Sequence, residues 1–144
     1  MVQASIDVLV IDDSDPQARS TLLGIRRAAP QAHVVRLKDG DQAVQFLSCS
    51  GIFSARDASQ MPGLILLDLE LPSIGGIELL ERLRTMPETR EIPVAVVTQT
   101  SNPVLIEQSY ALGARAFIVK PFDPGEYVFE VARVVDRLLT NKKH

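Results

Sequence analysis

Short apolar runs alternate with amphipathic stretches five times along this chain, and no other feature restricts its fold as much. The runs are Ile6–Ile11, His33–Leu37, Gly63–Leu67, Ile92–Val97 and Ala116–Val119. Asp15-Pro16 reads as a helix start, with Asp15 as N-cap and Pro16 in the first turn, followed by Ala18, Leu22, Ile25 and Ala29 at helical spacing. Asp41–Leu47 predicts a second helix. Leu79, Leu80, Leu83 and Met86 mark a third after the Gly75-Gly76 break. Asn102-Pro103 opens a fourth that ends near Gly113, and Tyr127, Val131, Val134, Val135 and Leu138 stripe a fifth. Strict alternation demands crossover connections, hence an α/β fold with a parallel sheet and helices on both faces. Strands covered on both faces are continuously apolar, as these mostly are.

The expected organisation is one domain over residues 1–144, since no linker or internal repeat interrupts the pattern. Ser48–Pro62, about 15 residues, is the one long irregular stretch, expected as a mobile loop or a helix extended by a turn or two. No run approaches the ~20 apolar residues of a membrane helix, and "MVQASID" has no signal-peptide pattern. A net charge of −3 argues against nucleic acid as the main partner. The single Cys49 fits a reducing compartment and is expected to be a bystander in a loop. His33 opens a strand far from the acids and is expected to be an ordinary surface histidine; the closing "NKKH" reads as a solvated tail.

The strand ends carry the informative signal. The first strand ends in Asp12-Asp13, the third in Asp68, the fourth in Thr98 and the fifth in Lys120-Pro121. In open parallel sheets, ligands bind outside the carboxyl ends of the strands. Four strands therefore deliver three acids, a hydroxyl and an ammonium to one edge. Asp68 is the hardest to dismiss as structural, because apolar neighbours would leave its charge unpaired. Three carboxylates and one lysine sum to −2, and a divalent cation such as Mg²⁺ brings the group close to neutral. Asp68 could then attack phosphorus, with Lys120 and the metal neutralising the equatorial oxygens and the Thr98 hydroxyl bonding the phosphoryl group.

The motifs "VLVIDDSDP", "LILLDLELPSIGGIELLERLR", "VAVVTQT" and "AFIVKPF", over Ile6 to about Leu139, resemble the receiver domain of bacterial two-component response regulators. The resemblance implies a flavodoxin-like (βα)5 doubly wound sheet of order 2-1-3-4-5. It implies Asp68 as phosphoacceptor for a histidine kinase phosphohistidine. Mg²⁺ would be held by Asp13, Asp68 and the backbone carbonyl of Glu70, with Asp12 helping through water. Lys120 would pair with Asp68 and then with the phosphoryl group, and Thr98 with Phe117 would form the switch pair. The Lys120–Pro121 bond would be cis. Gln99, where the family carries a small residue, would sit beside the phosphoryl group. The long Ser48–Pro62 stretch resembles the small single-domain regulators that partner bacterial phytochrome kinases.

The implied protein is a cytoplasmic phosphorelay switch rather than an enzyme acting on other molecules, without an effector domain, nucleic-acid or membrane partner. Its output would be protein–protein contact, as a homodimer or with another protein, through the fourth helix, fifth strand and fifth helix. Any exposed remainder of the stripe Tyr127, Val128, Val131, Val134, Val135 and Leu138 would supply a contact patch. Two other functions fit less well. A haloacid-dehalogenase-like phosphatase would need DxDx[TV], whereas the chain reads Asp68-Leu69-Glu70-Leu71. A degenerate, unphosphorylated scaffold has only Gln99 to recommend it.

Overall fold

The computed structural model describes residues 6–140 apart from Ser73; the N-terminal "MVQAS" and the basic tail lie outside the described residues. Five parallel strands, β1 (Val8–Ile11), β2 (Val34–Leu37), β3 (Leu64–Asp68), β4 (Val94–Thr98) and β5 (Ala116–Val119), form one sheet in the order 2-1-3-4-5. Five α-helices alternate with them: α1 (Asp15–Ala28), α2 (Gly40–Ser48), α3 (Gly76–Thr85), α4 (Pro103–Ala111) and α5 (Pro124–Thr140). The order reverses between β1 and β3, and Ile11 lies opposite both Leu37 and Leu67. The carboxyl ends of β1 and β3 therefore flank the crevice that such sheets open at their switch point.

Side chains alternate along each strand, and this splits the core in two. Leu9, Ile11, Ile65, Leu67, Val94 and Val96 point towards α2 and α3, where Phe46, Leu47, Leu79, Leu80 and Leu83 close over them. Val8, Val10, Leu64, Leu66, Ala95 and Val97 point the other way, under Ile25 of α1 and Tyr127, Val131, Val134 and Val135 of α5. Most of the α5 stripe is thus core: Tyr127, Val128, Val131, Val134 and Val135 are each at most 8% exposed, and only Leu138 is half-buried, too little to form a patch.

Several local readings are corrected. Ser14, not Asp15, caps α1, its Oγ accepting from Gln17 N at 3.3 Å; Asp15 starts the helix and turns outward to Arg36 at 2.8 Å. The inner face of α1 carries Ala18, Thr21, Gly24 and Ile25, while Leu22 is exposed. Small residues face inward because α1 lies tight on α5: a Cβ on Gly24 would stand 2.7 Å from Val131. Ser48–Pro62 does not continue α2 as an α-helix. Cys49 ends α2 in a left-handed conformation (φ 54°), and a 3-10 turn follows at Gly51–Phe53. Arg56 then binds the segment down: it donates to Phe46 O at 2.6 Å and Gln60 O at 2.5 Å, with its guanidinium 3.8 Å from the centre of the Phe46 ring. His33 is exposed, as expected, its N–H bonded to Asp7 Oδ2.

Candidate functional site

A parallel sheet presents all its carboxyl ends at one edge, so the polar residues that close β1, β3, β4 and β5 meet there. Asp12, directly after β1, is 3% exposed. Its Oδ1 accepts from Ser14 N at 2.9 Å, and its main-chain carbonyl accepts from Arg36 Nε at 2.8 Å. Burial, with the Asp68 charge adding to it and the Ser14 hydrogen bond opposing, pushes the Asp12 carboxyl up to about 6. Asp13 points into solvent. Asp68 ends β3 and is 4% exposed; its Oδ1 accepts from Glu70 N at 2.9 Å. One carboxylate oxygen from each of Asp12, Asp13 and Asp68 lies within 4.8 Å of the other two.

Lys120 supplies the positive charge. Its side chain is buried, and its Nζ stands 3.5 Å from Asp68 Oδ2. The same ammonium donates to Gln17 Oε1, from the first turn of α1. Lys120 N bonds Thr98 O at 2.8 Å, so the ends of β4 and β5 are tied together. Thr98 is fully buried, its hydroxyl oxygen accepting from Thr100 N at 3.3 Å. Phe117 is half-buried on β5 against Tyr110 of α4, ring centres 6.5 Å apart. The two members of the expected switch pair thus sit in adjacent strands, Thr98 opposite Val119 and Val96 opposite Phe117.

Gln99 is exposed and, with Lys120, half-buried Pro121 and Gln17, lines an open cleft of about 710 Å³ between the start of α1 and the end of β5. The expected cis Lys120–Pro121 bond is not found: the bond is trans. The trans form is favoured by about 0.5–1 kcal/mol for X–Pro in general, and here it is compatible with the Lys120 N–Thr98 O bond.

Three participants escaped sequence reasoning. Gln17 had no motif to announce it; only the correct helix start at Asp15 places it facing the lysine. Thr21 and Tyr127 form a buried pair under the acids, oxygens 2.6 Å apart, and Tyr127 was read as plain core. Burial pushes the Tyr127 hydroxyl up to about 12, so it stays protonated as a hydrogen-bonding group. With Asp12 and Asp68 the pair borders a small void below the site.

The sequence profile of the response regulator receiver domain matches residues 8–132. This chain belongs to that receiver family. Among curated relatives, the response regulator Rcp1 of Synechocystis is 31% identical over 113 residues, 78% of this receiver and 75% of Rcp1. The phosphate regulon regulatory protein PhoB of Rhizobium meliloti is 32% identical over 85% of this receiver, which spans only 50% of PhoB. The structure of the phosphorylated cyanobacterial phytochrome response regulator RcpA matches with a TM-score of 0.87 at 26% identity, covering 97% of this receiver and 98% of that chain. The bacteriophytochrome response regulator RtBRR matches with a TM-score of 0.77 at 32% identity, covering 92% and 78%. The Mn²⁺-bound form of Rcp1 matches at 0.84 with 27% identity over 93% and 94%. No helix among the described residues is long and apolar enough to cross a membrane.

Proposed function

We propose that this receiver accepts a phosphoryl group from the phosphohistidine of a sensor histidine kinase onto Asp68, and signals by altered protein–protein binding. The observation that carries this is the gathering of three carboxylates within 4.8 Å, one of them paired with a buried lysine. Such a cluster sets three carboxylates against one ammonium, and its hard oxygen donors suit Mg²⁺. Asp13, Asp68 and the Glu70 carbonyl would hold the ion, with Asp12 bound through water. When bound there, Mg²⁺ neutralises charge on the phosphoryl oxygens during transfer.

The residues divide the remaining work. Glu70 N–H fixes Asp68 Oδ1. Asp68 Oδ2, the oxygen facing Lys120, attacks phosphorus while the donor's P–N bond breaks and the histidine leaves. The Lys120 ammonium then donates to one phosphoryl oxygen, and the Thr98 hydroxyl, whose oxygen accepts from Thr100 N–H, donates its proton to a second. Phe117 turns inward behind Thr98 and changes its packing on Tyr110, which alters the face of α4, β5 and α5 where a second copy or another protein docks. Gln99, on the open rim, sets how easily water reaches the acyl phosphate and hence its lifetime. The protein acts only on its own phosphoryl group, in the cytoplasm. Likeness to RcpA and RtBRR supports a phytochrome-type kinase as donor.

Phosphotransfer from such a kinase, radiolabelled on its histidine, tests the reading. Label should move to this protein with Mg²⁺ and stay on the kinase in EDTA. Equal transfer in EDTA would contradict the metal-dependent site, and no transfer with Mg²⁺ from any phytochrome-type kinase would remove that donor class.

A further inference from the structure

The Lys120 ammonium carries three N–H donors and is buried, so it needs more than one acceptor. Asp68 Oδ2 at 3.5 Å is a long and incomplete partner. The Gln17 amide oxygen is its second acceptor. Its placement is set by the start of α1: Ser14 caps Gln17 N, Pro16 fixes the first turn, and the helix is locked on α5 where Gly24 meets Val131. The Gln17 carbonyl also accepts from Thr21 Oγ1 at 3.0 Å, and Thr21 bonds Tyr127 of α5, which fixes this turn of the helix from below.

We propose that Gln17 is a positioning residue for phosphoryl transfer: its amide oxygen holds the Lys120 ammonium between Asp68 and the open cleft, aimed at the incoming phosphoryl group instead of collapsed onto the nucleophile. This deepens the function proposed above and rests on it. Without the second acceptor, Lys120 closes on Asp68 Oδ2 and ties up the attacking oxygen. An ammonium held by a neutral amide remains free to give its other protons to the phosphoryl oxygens, at the moment their charge is transferred to Asp68.

The test measures phosphorylation by acetyl phosphate in wild type, Gln17→Met, Lys120→Ala and the double variant, with Mg²⁺ affinity and thermal midpoint alongside. Methionine keeps the length but cannot accept. Gln17→Met should lower the maximal rate about ten- to a hundredfold, the range of one hydrogen bond to a charged group. The half-saturating donor concentration and Mg²⁺ affinity should not change. In the Lys120→Ala background the same substitution should have no further effect, a coupling that a merely structural glutamine does not produce. Equal slowing in both backgrounds, or no slowing in wild type, overturns the proposal. If Gln17→Met lowers the thermal midpoint, the rates are compared again well below both midpoints, where each protein is fully folded; a slowing that disappears there also overturns the proposal. Absence of phosphorylation in wild type defeats the function itself and is thereby distinguishable.

Discussion

Helices α4 and α5 flank the same strand and are built oppositely. In α5 the apolar residues fall on one face, and Tyr127, Val128, Val131, Val134 and Val135 are buried. In α4, "PVLIEQSYA", the apolar residues are spread round the helix, and only Ser109 is buried. Val104 is 66% exposed and Tyr110 48%. The sequences are similarly apolar, so composition does not make the difference; angular arrangement does. One helix is welded to the sheet and to α1, and the other rests on it. A surface that must change when a phosphoryl group arrives is more cheaply built from the second kind.

The sharpest way to break this comparison is to disturb the welded side. Gly24→Val should destabilise by about 3 kcal/mol, because the new side chain meets Val131 at once and overpacking of a tight contact costs about 1–3 kcal/mol or more. Denaturant unfolding checks it, and a loss below ~0.5 kcal/mol would show that α1 and α5 are not tightly joined.

The welded layer also carries the cost of the site. The folded Asp12 carboxyl is raised to about 6 from 3.8, so it favours folding below about pH 4, and that contribution is lost as pH rises through 6. In metal-free protein, Asp12→Asn should therefore stabilise by roughly 1–2 kcal/mol at pH 7–8, and the gain should shrink on acidification from 6 to 4. A gain that grew towards pH 4 would reverse the sign of the effect.

Arg56→Ala should cost about 1 kcal/mol through its hydrogen bonds to Phe46 and Gln60. Limited proteolysis should then cut within residues 48–62 and leave the core intact. Smallest of all, Val104→Ala and Tyr110→Ala on α4 should each change stability by less than about 0.5 kcal/mol. Amide exchange should be faster in α4 than in α5, and phosphorylation should alter α4 more. Identical protection of the two helices in both states would end the comparison.

How much of this could be read from the chain obeys the same division. The strands were legible because residues such as Leu64–Leu67 are buried on both faces, and the acids because they end those strands. Alternation gave the parallel sheet; the strand order came from the resemblance. The inner face of α1 was misread because close packing selects Thr21 and Gly24 over Leu22, and closeness between helices leaves no periodic mark. Gln17 and Arg56 were illegible for a related reason: Gln17 acts through the Lys120 ammonium, Arg56 through the carbonyls of Phe46 and Gln60, and neither type nor spacing signals such polar contacts. The exposure of α4 was hidden because an apolar helix suggests burial unless its angular spread is considered.

The central claim is that Asp68 is the phosphoacceptor, and intact-mass spectrometry after treatment with acetyl phosphate and Mg²⁺ tests it most directly. The expected result is one phosphoryl adduct on the wild type, none in EDTA and none on Asp68→Asn. An undiminished adduct on Asp68→Asn would contradict it.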